Sequence, residues 1–407
     1  MRVAVLGAGV IGLACAAELL RAGHDVHVFD PAPASGATHA AAGMLSPAGE
    51  AWHGEGNLLR LGVESAGLWP EYAAWLEFAT GVDVGHRRAG TLLVGRDHDD
   101  VQVVHRILDV LAAHGIAYEE LRRREMRERE PELSTRVVGG AYLPGDHSVN
   151  PRRVATALLA LLGDRVERCR AVPSITPATT PATTPASGDA SAGSVDGVRT
   201  EDGRLVPADA VLVATGHRLP PQVPQHRHVR PVLGEILRIR LPTGQVPIRT
   251  VRAVVHGEPV YVVPRADGEV VVGATQEEHA GEPMPTVGGV ARLLDAARTL
   301  VPGLERAEIL EVLARHRPGT PDNGPLLGPT GVAGLFLAAG HHRGGVLLAP
   351  VTARILRTHI ESAGQPRRSP AAEASSVSTP DAANAFSPNR FDALDRRSRW
   401  TSLSTAS

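Results

Sequence analysis

Short apolar runs alternate with longer amphipathic stretches along most of the chain. Arg2 to Leu6 is a run suited to a buried strand, Val10 to Arg21 is small and apolar in the manner of a buried helix, and Val26 to Phe29 is a second short strand ending at Asp30. Asn57 to Thr80 predicts a helix with an uneven apolar face of Leu58, Leu61, Leu68, Trp69, Tyr72, Leu76 and Phe78. Gly90 to Gly95 predicts a strand. In Asp97 to His114, Val101, Val104, Ile107, Leu108 and Leu111 recur at helical spacing before the stop at Gly115. Arg122 to Glu130 is a mixed-charge helix closed by Pro131, and Gly139 to Val149 returns to strand character. A helix starts at Asn150-Pro151 and runs to about Leu162, and Arg165 to Val172 predicts a further strand.

In the second half, Val198 to Leu205 predicts a hairpin around Asp202-Gly203, and Ala208 to Gly216 a buried strand with a glycine turn. Val229 to Leu241, Val251 to His256, Val260 to Val263 and Glu269 to Gly273 are four strand candidates joined by short connections, which imply an antiparallel sheet. Val287 to Val301 is amphipathic and helical, Ala307 to Arg317 extended, Leu335 to Ala339 a buried strand, and about Val346 to His359 a closing helix. The fold class expected is therefore α/β with two domains (α+β in the second). A Rossmann-like, parallel-sheet dinucleotide domain comprises residues 1–85, 146–219 and 318–360, and a mainly antiparallel substrate domain is inserted as 86–145 and 220–317. Residues 173–194, nearly all Thr, Pro, Ala, Ser and Gly, read as a disordered insertion. Residues 361–407 read as a mostly disordered tail in which Phe386, Phe391 and Trp400 could dock locally.

The first thirty residues carry the clearest chemistry. Gly7, Gly9 and Gly12 stand in G-x-G-x-x-G spacing between a strand and a helix, and Asp30 follows Gly12 by eighteen residues at the end of the next strand. Gly7 allows the tight turn, Gly9 lets backbone approach a pyrophosphate, and Gly12 lets helix and strand pack closely. The helix N-terminus offers N–H groups to phosphates. Asp30 is placed to accept from a ribose and disfavours a 2′-phosphate, so NAD and FAD both remain open. The parallel strand 208–216 would bring Thr215 and Gly216 to the same edge. Ser35 to Pro47, a run of tiny residues, suits backbone packed against a flat ligand.

Composition removes several classes. The hydrophobic fraction is 43% and the net charge −2, so nothing points to nucleic acid. No apolar run reaches the roughly twenty residues of a membrane span. Cys15 and Cys169 lack metal spacing, which suits a cytoplasmic chain without disulfides or bound metal. All 42 basic residues are arginine, which excludes Schiff-base and lysine-base chemistry.

Four stretches together resemble the D-amino-acid oxidase superfamily of FAD enzymes, and within it the glycine oxidases of thiamine biosynthesis: GAGVIGLACAAELLRAGHDVHVFD, THAAAGMLSP, VYVVPRADGEVVVGAT, and RPGTPDNGPLLG paired with AAGHHRGGVLLAP. The resemblance implies FAD. It implies Val10, Ile11, Asp30 and Pro31 at the adenosine and phosphates, and Thr38, His39, Gly43, Met44 and Leu45 beside the flavin. Val172 falls on the adenine side, and the turn His341, His342, Arg343, Gly344, Gly345, Val346 and Leu347 meets the isoalloxazine. A turn of this kind opening a helix could also aim its dipole at the flavin. For the substrate, a small amino acid or amine, the resemblance picks Arg317 for the carboxylate, with Tyr261 and Arg343 as the other polar positions; a guanidinium fork suits a carboxylate. The implied reaction is hydride transfer from the amine to flavin, then reoxidation by oxygen to give hydrogen peroxide. With glycine the product is the imine dehydroglycine, the unit needed for the thiazole of thiamine. Homotetramers occur by analogy in the family.

Departures qualify the likeness. Sarcosine oxidases use a lysine and a C-terminal cysteine, which this chain lacks, and dimethylglycine dehydrogenases attach FAD through a histidine at the position of Ala40, one place from His39. Non-covalent FAD is the expectation. Pro259 stands where some glycine oxidases carry a polar residue, which opens the question of substrate size. The rival readings are a broader D-amino-acid oxidase or dehydrogenase, and an FAD subunit active only within a larger complex.

Overall fold

A computed structural model describes residues 1–177, 193–242, 244, 246–364 and 385–392. In chain order the first part contains β1 (Arg2–Leu6), α1 (Val10–Arg21), β2 (Asp25–Phe29), α2 (Ala37–Ala40), β3 (Met44–Leu45), α3 (Gly56–Thr80), β4 (Thr91–Gly95) and α4 (His98–Ala113). There follow β5 (Glu119–Arg122), α5 (Arg123–Arg129), β6 (Gly139–Leu143), β7 (His147–Ser148), α6 (Pro151–Leu162), β8 (Val166–Glu167), β9 (Ala171–Thr176), β10 (Ser194–Thr200), β11 (Leu205–Pro207) and β12 (Ala210–Val213). The chain closes with β13 (Arg230–Arg240), β14 (Thr250–Val255), β15 (Glu258–Pro264), β16 (Glu269–Gly273), α7 (Val287–Leu300), β17 (Glu308–Gly319), β18 (Leu326–Pro329), β19 (Leu335–Ala339) and α8 (Ala349–Ala363).

Two large sheets organise these elements, as the α/β class requires. The first has six strands in the order β18-β19-β12-β1-β2-β8, parallel except for β18. One face packs α1, α3, α6 and α8 in a core that includes Val3, Val5, Val28, Leu13, Trp69, Leu158 and Leu356. The other face, with Leu6, Phe29, Val211 and Leu337, is covered from the side of the three-stranded sheet β11-β10-β9. Burial on both faces explains why these strands read as continuous apolar runs. The chain leaves β1 toward β2 on one side, and β12 lies on the other, so the carboxyl end of β1 is a topological switch point where ligands settle.

The second sheet has eight strands, β17-β13-β16-β15-β14-β4-β6-β5. Every pair in it is antiparallel except β4 with β14, a parallel contact between distant segments that the short connections did not foretell.

Two local readings change. The strand expected over Arg165 to Val172 is two strands in different sheets, β8 and β9, separated at 168–170. β9 and β10 remain paired to Thr176 and from Ser194, so strand pairing extends into both ends of the expected insertion; 178–192 fall outside the described residues. Phe386 and Phe391 are buried, while Trp400 lies outside the described residues. Among the described residues no helix is long and apolar enough to cross a membrane, no cluster could hold a metal, and Cys15 and Cys169 are unbridged.

Candidate functional site

A cavity of about 650 Å³ runs from the carboxyl ends of β1 and β12 to one face of the eight-stranded sheet. That size is within the usual range for cofactor pockets.

At one end the wall is mostly backbone. Gly7 has φ +101°, and a Cβ there would lie 2.4 Å from the Ala214 carbonyl oxygen; one on Gly12 would lie 1.9 Å from that of Gly7. Only glycine fits either position. Gly9 offers no side chain to cap α1, and the Thr38 hydroxyl accepts from the Val10 amide instead, at 2.9 Å. The Asp30 carboxylate accepts from the amides of Ala8 (2.7 Å) and Ala32 (2.8 Å), which fixes it at the cavity wall. Ile11, Pro31, Val172, Thr215 and Gly216 also line this end.

The tiny-residue stretch is close-packed and held by arginines. Arg152 donates to the His39 carbonyl at 2.9 Å, and Arg238 donates to those of His39 and Ala41. Arg265 donates to the carbonyls of Ala42 and Val149. Burial pushes the Arg265 guanidinium down to about 10, still charged at neutral pH. Gly43, at φ +78°, lies against the Val149 carbonyl. Ala40 to Met44 are thereby fixed along the cavity.

The far end is built from side chains. Tyr261 on β15, Arg317 on β17 and Arg343 after β19 all line it, as do Arg252 and Glu50. The Glu50 carboxylate meets Arg252 at 2.9 Å and Arg343 at 3.4 Å, and Glu55 meets Arg343 at 3.3 Å. Arg317 has no carboxylate partner among the described residues; its Nη1 donates to the Thr275 carbonyl at 3.2 Å. Two glycines make room for this set. A Cβ on Gly234 would lie 2.2 Å from the Arg317 guanidinium, and one on Gly273 would lie 2.5 Å from the Tyr261 hydroxyl. Burial raises the Tyr261 phenol above its ordinary value, against the pull of Arg317, so it stays a donor at neutral pH. Asp146, pushed up to about 6 by burial, accepts from the Ser46 hydroxyl and the amides of Ala48 and Gly49 and so anchors the turn that presents Glu50.

The turn after β19 closes one wall. His341, His342, Arg343, Gly345 and Val346 line the cavity. Burial drives both imidazoles down to about 3, so both are neutral. His341 bonds the Thr352 hydroxyl at 3.0 Å, while both ring nitrogens of His342 are buried without a partner among the described residues. A polar ligand edge would satisfy them.

Five of the expected site residues do not line the cavity. Gly12 serves packing behind Gly7. The His39 ring turns outward to Glu311 at 3.4 Å, because its own carbonyl is tied down by arginines. Leu45 is fully buried in the helical core. Leu347 likewise packs in that core, its carbonyl accepting from Ser65 and Trp69. Gly344 faces a neighbouring small pocket, and α8 proper begins at Ala349, so a short 3-10 turn at His342–Gly344, not an α-helix start, meets the cavity. Conversely, Arg252, Glu50, Gly234 and Gly273 were not foreseen. Arg252 did leave a trace: it alternates with the core residues Val251 and Ala253 and so must face away from that core.

The glycine cradle, the fixed carboxylate and the orphaned His342 nitrogens fit a flavin dinucleotide. The sequence profile of the family described as FAD dependent oxidoreductase matches residues 2–358. A bifunctional protein ThiO/ThiG of Trichormus variabilis is 34% identical, over 88% of this chain and 52% of that protein. A glycine oxidase of Geobacillus kaustophilus is 32% identical, over 88% of this chain and 92% of that protein. The chain spans about half the length of the bifunctional relatives it matches. The crystal structure of the G. kaustophilus glycine oxidase superposes with a TM-score of 0.76, covering 88% of this chain and 95% of that one. Built on the same fold and matched over most of its length, this chain belongs to the FAD dependent oxidoreductase family.

Proposed function

We propose that the protein oxidises glycine and similar small amines to imines, with oxygen as the electron acceptor. The observation that carries this reading is Arg317: unlike Arg252 and Arg343 it has no carboxylate partner among the described residues, and it faces the cavity beside a phenol that stays protonated. A substrate carboxylate completes that charge balance. Bound FAD supplies the hydride acceptor and the means of passing two electrons to oxygen.

The chain's own part is orientation. Arg317 and Tyr261 hold the carboxylate, Arg343 borders the same space, and the neutral His341 and His342 add no cation to compete for it. No side-chain base is required when the amine enters neutral. Glycine and oxygen would give dehydroglycine and hydrogen peroxide; water would take the imine to glyoxylate and ammonia. The glycine oxidase relative supports glycine as substrate, and use of the imine in thiazole formation is part of the same proposal. FAD held without a covalent bond is part of this reading, supported by the outward turn of the His39 ring to Glu311. A second reading, oxidation of D-amino acids with side chains, is favoured by Pro259 and Ala274, two small apolar residues at the Tyr261 end.

The test is aerobic turnover of purified protein with glycine, sarcosine and D-alanine, reading peroxide and keto-acid product. Peroxide and glyoxylate from glycine support the first reading. Turnover of D-alanine with none of glycine moves the assignment to the second. No turnover of any of them overturns both.

A further inference from the structure

Residues 385–392 lie beyond the segment matched by the family profile, yet they are docked on the fold. Phe386 joins the helical core and Phe391 the core on the opposite sheet face, each less than a tenth exposed. The Phe386 carbonyl accepts from the Leu327 amide at 2.8 Å, and Asn389 accepts from Gln225 at 2.7 Å. The centre of the attachment is Arg390. Its Nε and Nη2 each reach the Asp322 carboxylate at 2.8 Å, and it donates to the carbonyls of Gly324 and Pro325 at the same distance. This bidentate fork is the geometry that fixes a carboxylate best. Gly324 must be glycine here, since a Cβ would lie 2.9 Å from the Phe386 ring.

The loop so clamped carries Asn323, in the left-handed region at φ +58°. Its amide donates to Glu55 Oε1 at 2.8 Å, while Glu55 Oε2 meets Arg343 at 3.3 Å. Arg343 is at the cavity mouth, its side chain 36% exposed, so its position depends on what holds it. Arg390 holds Asp322 by an ion pair, Asn323 follows Asp322 directly in the chain, and Asn323 to Glu55 and Glu55 to Arg343 are again a hydrogen bond and an ion pair.

We infer that the C-terminal segment Ala385–Asp392 is a positioning strap: Arg390 fixes the Asp322–Gly324 loop so that Asn323 and Glu55 hold Arg343 in place at the amino-acid end of the cavity. This rests on the proposed role of Arg343 beside the substrate. Arg390 and Asn323 touch no ligand and act through Arg343.

The test uses the full-length holoenzyme with Arg390→Ala, Asn323→Ala, the double variant and Arg390→Lys. Acetate, a carboxylate that cannot be oxidised in this way, is titrated through the flavin difference spectrum, and KM and kcat are measured for glycine. Each single variant should raise the acetate Kd and the glycine KM about three- to tenfold while kcat stays within about twofold. The double variant should do no more than the larger single, as expected of one chain of contacts, and Arg390→Lys should recover part of the loss. Unchanged Kd and KM with a lowered Tm would make the segment a structural clasp only and overturn the inference, as would multiplicative effects in the double variant. If wild type itself neither binds acetate nor turns over glycine, the proposed function fails. The strap is then read from the ligand-free flavin spectrum: a shift shared by Arg390→Ala and Asn323→Ala upholds it, and identical spectra refute it.

Discussion

The two ends of the cavity are built from different materials. The dinucleotide end is backbone: the turn at Gly7, the α1 amides and the carbonyls and amides around Thr38 and Asp30. The Tyr261 end, proposed for the amino acid, is charge on side chains, with Arg252, Arg317 and Arg343 set against Glu50 and Glu55. At Gly7 and Gly12 the first end tolerates no added atom, because the backbone behind them has nowhere to go. The second tolerates small changes of shape, because long side chains can swing, but on the proposed function not loss of Arg317, which has no carboxylate partner among the described residues.

The largest effect should come from the backbone end. Gly7→Val combines a left-handed φ with a Cβ against the Ala214 carbonyl and should cost at least about 3 kcal/mol. The variant should purify colourless with a sharply lowered Tm; a yellow protein of normal Tm would break the contrast. Arg317→Met comes next. It should lower kcat/KM for glycine about a hundred- to thousandfold while the flavin-to-protein ratio stays that of wild type. Gly234→Ala pushes a methyl at the Arg317 guanidinium, which can shift but not vanish, so KM should rise about tenfold with FAD retained.

A pH series sharpens the picture of the wall between the two ends. His341 and His342 titrate at about 3 in the fold, against 6.5 for an ordinary histidine. The unfolded chain therefore takes up protons first as pH falls, and the stability contributed by these neutral rings is complete above about pH 6.5 and is lost progressively toward pH 3. Tm should fall over that window, and His342→Gln should flatten the slope. Smallest of all is Arg124→Ala at the Glu128 pair, whose side chains are 90% and 60% exposed. Its stability should stay within about 0.5 kcal/mol of wild type by urea unfolding.

The same contrast explains what was legible in the sequence. Gly7, Gly9, Gly12 and Asp30 act through local spacing, so a single stretch of chain reveals them. Tyr261, Arg317 and Arg343 lie far apart in sequence and were reached through resemblance to a family, not through spacing. Arg252 and Glu50 come together only because β14 carries Arg252 opposite Tyr261 of β15 while buried Asp146 anchors the turn before Glu50. No local pattern encodes either fact. His39 shows the converse limit: its place in the motif put it beside the cofactor, but Arg152 and Arg238 bind its carbonyl and the ring points to Glu311, off the cavity. Buried arginines that grip carbonyls are tertiary features, silent in a linear reading.

The most direct measurement is anaerobic titration of wild type and Arg317→Met with glycine, following the flavin absorbance. The account predicts that glycine bleaches wild type, that admitted oxygen restores the colour with release of peroxide, and that the variant, with its flavin still bound, bleaches only at far higher glycine. Equal bleaching of both would contradict the assignment of Arg317 to the substrate carboxylate, and bleaching of neither would contradict glycine oxidation itself.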